Sequence, residues 1–380
     1  MNYVESLNLF GVPAKEIPCI LGDSAPTAKT EGAVGCLYMD TNTGNLYKCT
    51  ASEDGVYTWK NASNSIDHPY TDDECRNAFY AAMNAKLGRM NILGATIEDA
   101  AGYPGHNFLY PVSIVKIAEI ASSYRELSDI WSAKEYTIKT HDVVNTIPMT
   151  STVTNGSFTS KLTNHYSLLC GKTGSGIGSD GKIHNLLTSI CTSSELEGRA
   201  VVTVVSLKGG YDSESSNRFT ATKLMMDIAV ARYKNRDADV SGLQTQLTTM
   251  GMESGCCYLV PHFTPHNLYS HSMSSDNYHQ LYLYQGALIE TFSTIKVLTA
   301  IVVLDYVCDL DEHLTFKQSD LLEDAGPYGA GTGAYFAVGQ TITIRDALYA
   351  LMLPSSNQCA YALARHVGEK LLRLTNYSTS

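Results

Sequence analysis

Three short groups of residues have the types and spacings for nucleophilic chemistry. Ser293-Thr294-Ile295-Lys296 sets a hydroxyl and an amine three positions apart, on one face of an expected helix start. A serine is a weak nucleophile until a base takes its proton, and a desolvated lysine of lowered pKa can serve. Ser355-Ser356-Asn357, after Pro354, offers a second hydroxyl and an amide at another expected helix start. The plain alternative there is an N-cap. Lys172-Thr173-Gly174, followed by Ser175, puts a cation, a hydroxyl and a bare backbone on an expected strand. A substrate could run beside it with its carboxylate held by Lys172 and Thr173; the plain alternative is a charged residue protecting a sheet edge. A phosphate loop needs a glycine five positions before Gly171, and Tyr166 stands there. Ser113-Ile114-Val115-Lys116 repeats the first spacing on another expected helix, so no motif decides alone.

Composition narrows the setting. The chain has 380 residues, 27 of them Lys or Arg against 38 Asp or Glu, for a net charge of -11. No basic stripe exists to replace counterions along phosphates, which argues against a nucleic-acid partner. The longest apolar run, Val297 to Leu304, falls far short of the roughly 20 residues of a membrane span. "MNYVESLNLF" lacks the basic and apolar regions of a secretory signal, so export would run through a phage particle or lysis. The 10 cysteines show no C-x-x-C pair or metal-site spacing and read mainly as buried thiols. In "CLYMDTNTGNLYKC" a turn at Asn42–Thr43 sets Cys36 opposite Cys49, which leaves a cross-strand bridge open.

The elements that must position the three motifs fall into blocks. Residues 1–65 show short alternating runs ("GCLYMD", "NLYKCT", "GVYTWK") and read as a small β-meander, with 66–72 as a polar linker. From 73 to 235 come helices in "CRNAFYAAMNAKLGRM" and "PVSIVKIAEIASSY". Strands follow in "EYTIKT", "YSLLCGKTG", "IHNLLTSICT" and "RAVVTVVSLKG", and then the helix "RFTATKLMMDIAVARY". Residues 236–252 read as a polar joining segment. The last block, 253–380, has a strand in "QLYLYQGALIE" and helices in "STIKVLTAIVVLDYV", "TIRDALYALML" and "SNQCAYALARHVGEKLL". The class is α+β.

Taken together, S-x-x-K, S-x-N and K-T-G in these contexts resemble the serine D-alanyl-D-alanine carboxypeptidases and penicillin-binding proteins of the β-lactamase-like transpeptidase superfamily. The segments "FSTIKVLTAIVVLDYV", "LPSSNQCAYALARHVG", "YSLLCGKTGSG" and "RFTATKLMMDIA" carry the likeness. It implies an antiparallel sheet flanked by helices, with an all-α lobe. Ser293 becomes the nucleophile, Lys296 its general base, and Ser355 the proton relay to the leaving amine. Asn357 binds the peptide amide, and Lys172 and Thr173 hold the carboxylate. The N–H groups of Ser293 and Ser175 form the oxyanion hole, with Gly174 between the strand residues. Arg218 is a further carboxylate ligand or an ordinary surface arginine. The likeness implies peptidoglycan ending in D-Ala-D-Ala as substrate, β-lactams as covalent inhibitors, action at the bacterial cell wall, and no metal or organic cofactor. It sets Ser113–Lys116 on a non-catalytic helix. Residues 1–65 resemble small β modules of phage tail proteins, which implies a phage tail partner.

The motif order is unusual. The family runs S-x-x-K, S-x-N, K-T-G, whereas here K-T-G comes first. Reading 253–380 before 73–235 restores the order, which points to a circular permutation closed through 236–252. Such a segment, partly extended, spans on the order of 50 Å. A domain swap between two chains is the rival. Two further functions stay open: a β-lactamase, although no E-x-x-L-N pattern is found, and a non-catalytic virion or wall-binding protein.

Overall fold

A computed structural model of the chain describes residues 19–32, 34, 36–43, 45–53, 55–61, 70–102, 107–139, 146–153, 165–209, 216–260, 279–321 and 334–379. The expected linker 66–72 lies mostly outside these residues. By its internal contacts the chain forms two compact units, residues 1–85 with 365–380, and residues 86–364.

In the first unit, strands β1 (Cys19–Gly22), β2 (Leu37–Asp40), β3 (Leu46–Glu53) and β4 (Val56–Asn61) form one sheet in that order. β1 runs parallel to β2, so the sheet is more than the expected meander. Tyr38 is buried against Trp59, their rings edge-on at 5.6 Å. Cys36 and Cys49 do face each other, and the Cys49 N–H donates to the Cys36 carbonyl at 3.0 Å. Both side chains are buried, and they form no disulfide. Helix α1 (Asp72–Arg89) starts from a reciprocal cap in which the Glu74 N–H donates to the Thr71 hydroxyl and the Thr71 N–H to the Glu74 carboxylate.

The second unit is built on a five-stranded antiparallel sheet. Ahead of it in sequence come β5 (Phe108–Leu109), α2 (Pro111–Ser123), α3 (Arg125–Ser132) and the hairpin β6 (Glu135–Lys139)–β7 (Thr146–Thr150). The sheet takes β8 (Tyr166–Ile177), β9 (Ile183–Ser193) and β10 (Ala200–Lys208), then, after α4 (Asn217–Lys234) and α5 (Ser241–Thr249), β11 (Met252–Val260) and β12 (His279–Tyr284). Its order is β12-β11-β10-β9-β8, which leaves β8 at an edge. β10 is mostly apolar and is buried from Ala200 to Leu207 because both of its faces are covered. Val201, Val205 and Leu207 meet Phe219, Met225 and Ile228 of α4, and α2 packs on β9, β10 and β11. The joining segment differs from the expected polar linker. It contains α5, with Val240 and Leu247 buried in the same core, because this short amphipathic turn supplies the apolar contacts that an extended linker would lack. β11 also escaped the sequence pattern: "SGCC" has no β-branched residue, yet it fills the place beside β10.

The remaining elements are β13 (Ile289–Glu290), paired with β5, then α6 (Lys296–Tyr306), the pair β14 (His313–Thr315)–β15 (Thr341–Thr343), α7 (Ile344–Met352) and α8 (Asn357–Thr379). Among the described residues no helix is long and apolar enough to cross a membrane.

Candidate active site

Ser293 sits in a single 3-10 turn, Phe292–Ile295, which leads directly into α6. Phe292 takes a left-handed backbone conformation, φ 43°, which a bulky residue adopts only where its surroundings enforce it. The strand edge supplies that enforcement. A Cβ on Gly176 would lie 2.1 Å from the Phe292 ring, and one on Gly174 would lie 3.1 Å from the Thr291 carbonyl and 3.2 Å from the Ser293 nitrogen. The two glycines of "KTGSG" therefore let β8 lie directly against the turn that carries the serine.

Lys296 is wholly buried, and its Nζ contacts Ser293 Oγ at 2.8 Å, Asn357 Oδ1 at 2.6 Å and the Ala101 carbonyl at 2.8 Å. Two of these partners can only accept. A neutral amine has two N–H bonds and one lone pair, so those acceptors take both N–H groups. The lone pair is left facing the Ser293 hydroxyl, which can donate to it. Burial is the main cause that pulls the Lys296 pKa down, to about 7, against the opposing pull of Asp99. A pKa so lowered makes the neutral amine accessible near neutral pH, with its lone pair toward the Ser293 hydroxyl.

The S-x-N turn is built by its flanks. Thr343 and Asp346 cap α7 reciprocally, and α7 ends ahead of Pro354. Ser355 then adopts φ 68°, another left-handed non-glycine residue. Ser356 does the capping of α8, accepting the Cys359 N–H at 3.3 Å. The N-cap alternative holds for the middle residue, and Ser355 and Asn357 face the site.

Lys172 is also wholly buried; its Nζ donates to Ser355 Oγ at 2.7 Å and to the Thr173 carbonyl at 3.0 Å. Its pKa is held well below the usual value by burial, and further by the cations Lys296 and Arg218. The Thr173 hydroxyl pairs with Thr152 at 2.8 Å, and that of Ser175 with Asn185 at 2.9 Å. Arg218 is buried rather than on the surface. Its guanidinium donates to the Gly174 and Leu186 carbonyls and to Asn185 Oδ1, which ties β8 to β9 behind the motif. The second S-x-x-K lies elsewhere, on α2, with Lys116 beside the half-buried Glu119.

Four contributors were not legible beforehand: Asp99, the carbonyl of Ala101, Thr152 and Asn185. Ala101 acts through its backbone, which leaves no residue-type signal, and the others reach the site through contacts between distant segments. Among the described residues no cluster of His, Cys, Asp and Glu could hold a metal ion.

Residues 265–375 match the model of the β-lactamase enzyme family, Beta-lactamase2. That stretch contains Ser293, Lys296, Ser355 and Asn357. It supports a member of the serine β-lactamase and transpeptidase-like superfamily with a β-lactamase-like domain, and broadly a serine hydrolase-like activity consistent with β-lactam interaction. Comparison with curated proteins and with solved structures returns no match.

Proposed function

We propose that the protein is a serine D-alanyl-D-alanine carboxypeptidase acting on peptidoglycan stem peptides through an acyl-enzyme. The observation that carries this reading is the placement of Lys296 Nζ 2.8 Å from Ser293 Oγ with both of its N–H groups taken by acceptors. Lys296 accepts the Ser293 proton as Oγ bonds to the penultimate D-Ala carbonyl carbon. The N–H groups of Ser293 and Ser175 receive the oxyanion, each such donor typically being worth about 3–4 kcal/mol. Ser355 relays a proton to the departing D-Ala nitrogen as the C–N bond breaks, giving its own and taking the one Lys296 holds, so that both side chains return to their starting forms. Lys172, buried behind Ser355, acts through that hydroxyl, and the Arg218 guanidinium favours the substrate carboxylate near Thr173. Asn357 divides its amide between Lys296 and the peptide. Water then cleaves the ester, and its proton returns to Ser293.

The same reading takes the domain as a circular permutation. The family match holds S-x-x-K and S-x-N, while Lys172 lies ahead of it in the chain and still meets Ser355. The antiparallel pairing of β10 with β11 through α4 and α5 supports closure within one chain. A monomer mass that does not change with concentration is expected; a dimer would favour the swap. Residues 1–65 are then the module that carries the enzyme to the wall, on a phage tail partner.

Covalent labelling by a fluorescent penicillin, absent in Ser293→Ala, tests the site, together with D-Ala release from a peptide ending in D-Ala-D-Ala. A parent that does neither sinks the reading and leaves the wall-binding alternative. The family description favours β-lactamase as the second reading. Against it, the sequence holds no E-x-x-L-N pattern to supply a deacylating glutamate. Slow loss of the penicillin label, with little turnover of a chromogenic cephalosporin, fits the carboxypeptidase; rapid turnover makes it a β-lactamase.

A further inference from the structure

Of the three partners around Lys296, the Ala101 carbonyl belongs to none of the motifs. It comes from a stretch without regular secondary structure, residues 95–102, so something must fix where it points. Asp99 does most of this. The side chain is 4 % exposed; Oδ1 accepts the Ala101 N–H at 2.8 Å and the Gly102 N–H at 2.5 Å. Its other oxygen, Oδ2, accepts the Tyr361 hydroxyl of α8 at 2.6 Å. Asn107 holds the same residue from the backbone side, accepting the Asp99 N–H and donating to the Asp99 carbonyl.

The turn is joined to the nucleophile as well. The Asn107 carbonyl accepts the N–H of Thr291, two residues before Ser293, at 2.8 Å. Gly102 has φ 79°, and a Cβ there would lie 2.0 Å from the Phe292 carbonyl. Consecutive carbonyls then meet one face of α6: Ala100 accepts the Thr299 hydroxyl at 2.7 Å, and Ala101 accepts Lys296. Thr299 and Lys296 are three apart on that helix.

We propose that Asp99 is the positioning residue for Lys296, folding the turn whose Ala101 carbonyl takes one N–H of the amine and so aims its lone pair at Ser293. The proposal rests on the reading of Ser293 and Lys296 as the acylating pair. Tyr361 keeps the carboxylate oriented. Without the Ala101 acceptor, one N–H of the amine would be free to turn toward Ser293, and the lone pair would leave the line of proton transfer. The Asp99 charge has a second effect. It opposes the desolvation that lowers the Lys296 pKa and leaves the amine at about 7. The groups facing Lys296 are Asp99, Ser293, Asn357 and Cys359, with the Lys172 amine nearby.

The test uses the full chain labelled with 13C-lysine, in parent, Asp99→Asn, Asp99→Ala and Tyr361→Phe forms, with melting curves to confirm folding. The Lys296 resonance, assigned by its loss in Lys296→Met, is titrated with pH, and acylation by a fluorescent penicillin is timed over the same range. In the parent the titration midpoint is expected near 7. Asp99→Asn keeps the acceptor oxygen but removes the charge, so the midpoint and the acid limb of acylation move down together by about one unit. Asp99→Ala lowers the plateau acylation rate by about 10- to 100-fold, the scale of a small misplacement, and Tyr361→Phe lowers it less. An unshifted midpoint in Asp99→Asn, or a parental plateau rate in folded Asp99→Ala, overturns the proposal. A parent whose midpoint shifts on Asp99→Asn as expected, but which takes up no penicillin, supports the positioning of Lys296 while the proposed function fails.

Discussion

Lys296 and Lys172 are the same side chain in two nearly matched settings. Each is wholly buried, and each contacts a serine hydroxyl, at 2.8 Å and 2.7 Å. Their surroundings separate them. Lys296 has the Asp99 charge close by and two acceptors that use its N–H groups, which leaves a lone pair for Ser293 at a pKa of about 7. Lys172 has cations nearby, Lys296 and Arg218, and its Nζ donates to Ser355 and to its neighbour's carbonyl. One amine is therefore organised to receive a proton and the other to hold a second hydroxyl in place. Burial alone makes a lysine easier to deprotonate; which acceptors surround it decides what it does.

The comparison breaks most readily at Lys296. Lys296→Met is expected to slow penicillin acylation by about 10²- to 10⁴-fold, the usual weight of a general base. Lys172→Met should also slow turnover, but with a different signature. The acid limb of acylation should stay near 7 if Lys296 sets it, and a limb that vanishes with Lys172 would reverse the two roles. Arg218→Ala removes the guanidinium that donates to the Gly174 and Leu186 carbonyls and to Asn185 Oδ1. A loss of about 1–3 kcal/mol in chemical denaturation is expected, with weaker labelling caused by a loosened β8. Unchanged stability would mean the strand does not depend on that clamp.

The smallest effect is in the pH dependence of stability. The folded pKa of Lys296, about 7, lies below its ordinary value of 10.5. Between these limits the unfolded chain carries a proton that the folded chain lacks, so this lysine's share of stability rises with pH from about 7 to 10.5. Below 7 both states are protonated and the full burial penalty applies. Lys296→Met should flatten that rise in melting temperature relative to the parent. An identical slope in the two proteins would mean that the buried amine does not titrate in this window.

Much of the frame was readable from local patterns. The apolar-rich run "RAVVTVVSLKG" read as a strand and is β10, covered on both faces, and the helical spacing of "TIRDALYALML" is that of α7. β11 and α5 were not readable, because "SGCC" and a short polar turn acquire their structure from the core they complete. Arg218 shows the same limit. Its residue type suggested a carboxylate ligand or a surface charge, and only the packing of α4 against β8 and β9 shows three acceptors around it.

The sequence by itself determined the candidate reactive groups, Ser293, Lys296, Ser355, Asn357 and Lys172, because hydroxyl, amine and amide at short spacings are properties of residue type and helix geometry. It also determined that these groups are separated along the chain, with K-T-G ahead of its serine. The tertiary structure decided how they act. It brought Lys172 to Ser355 across 183 positions, set Gly174 against the Ser293 nitrogen, and supplied the Ala101 carbonyl that no residue type announces. The direction of a lone pair depends on every acceptor around an amine, and here one of those acceptors comes from a turn 195 positions away.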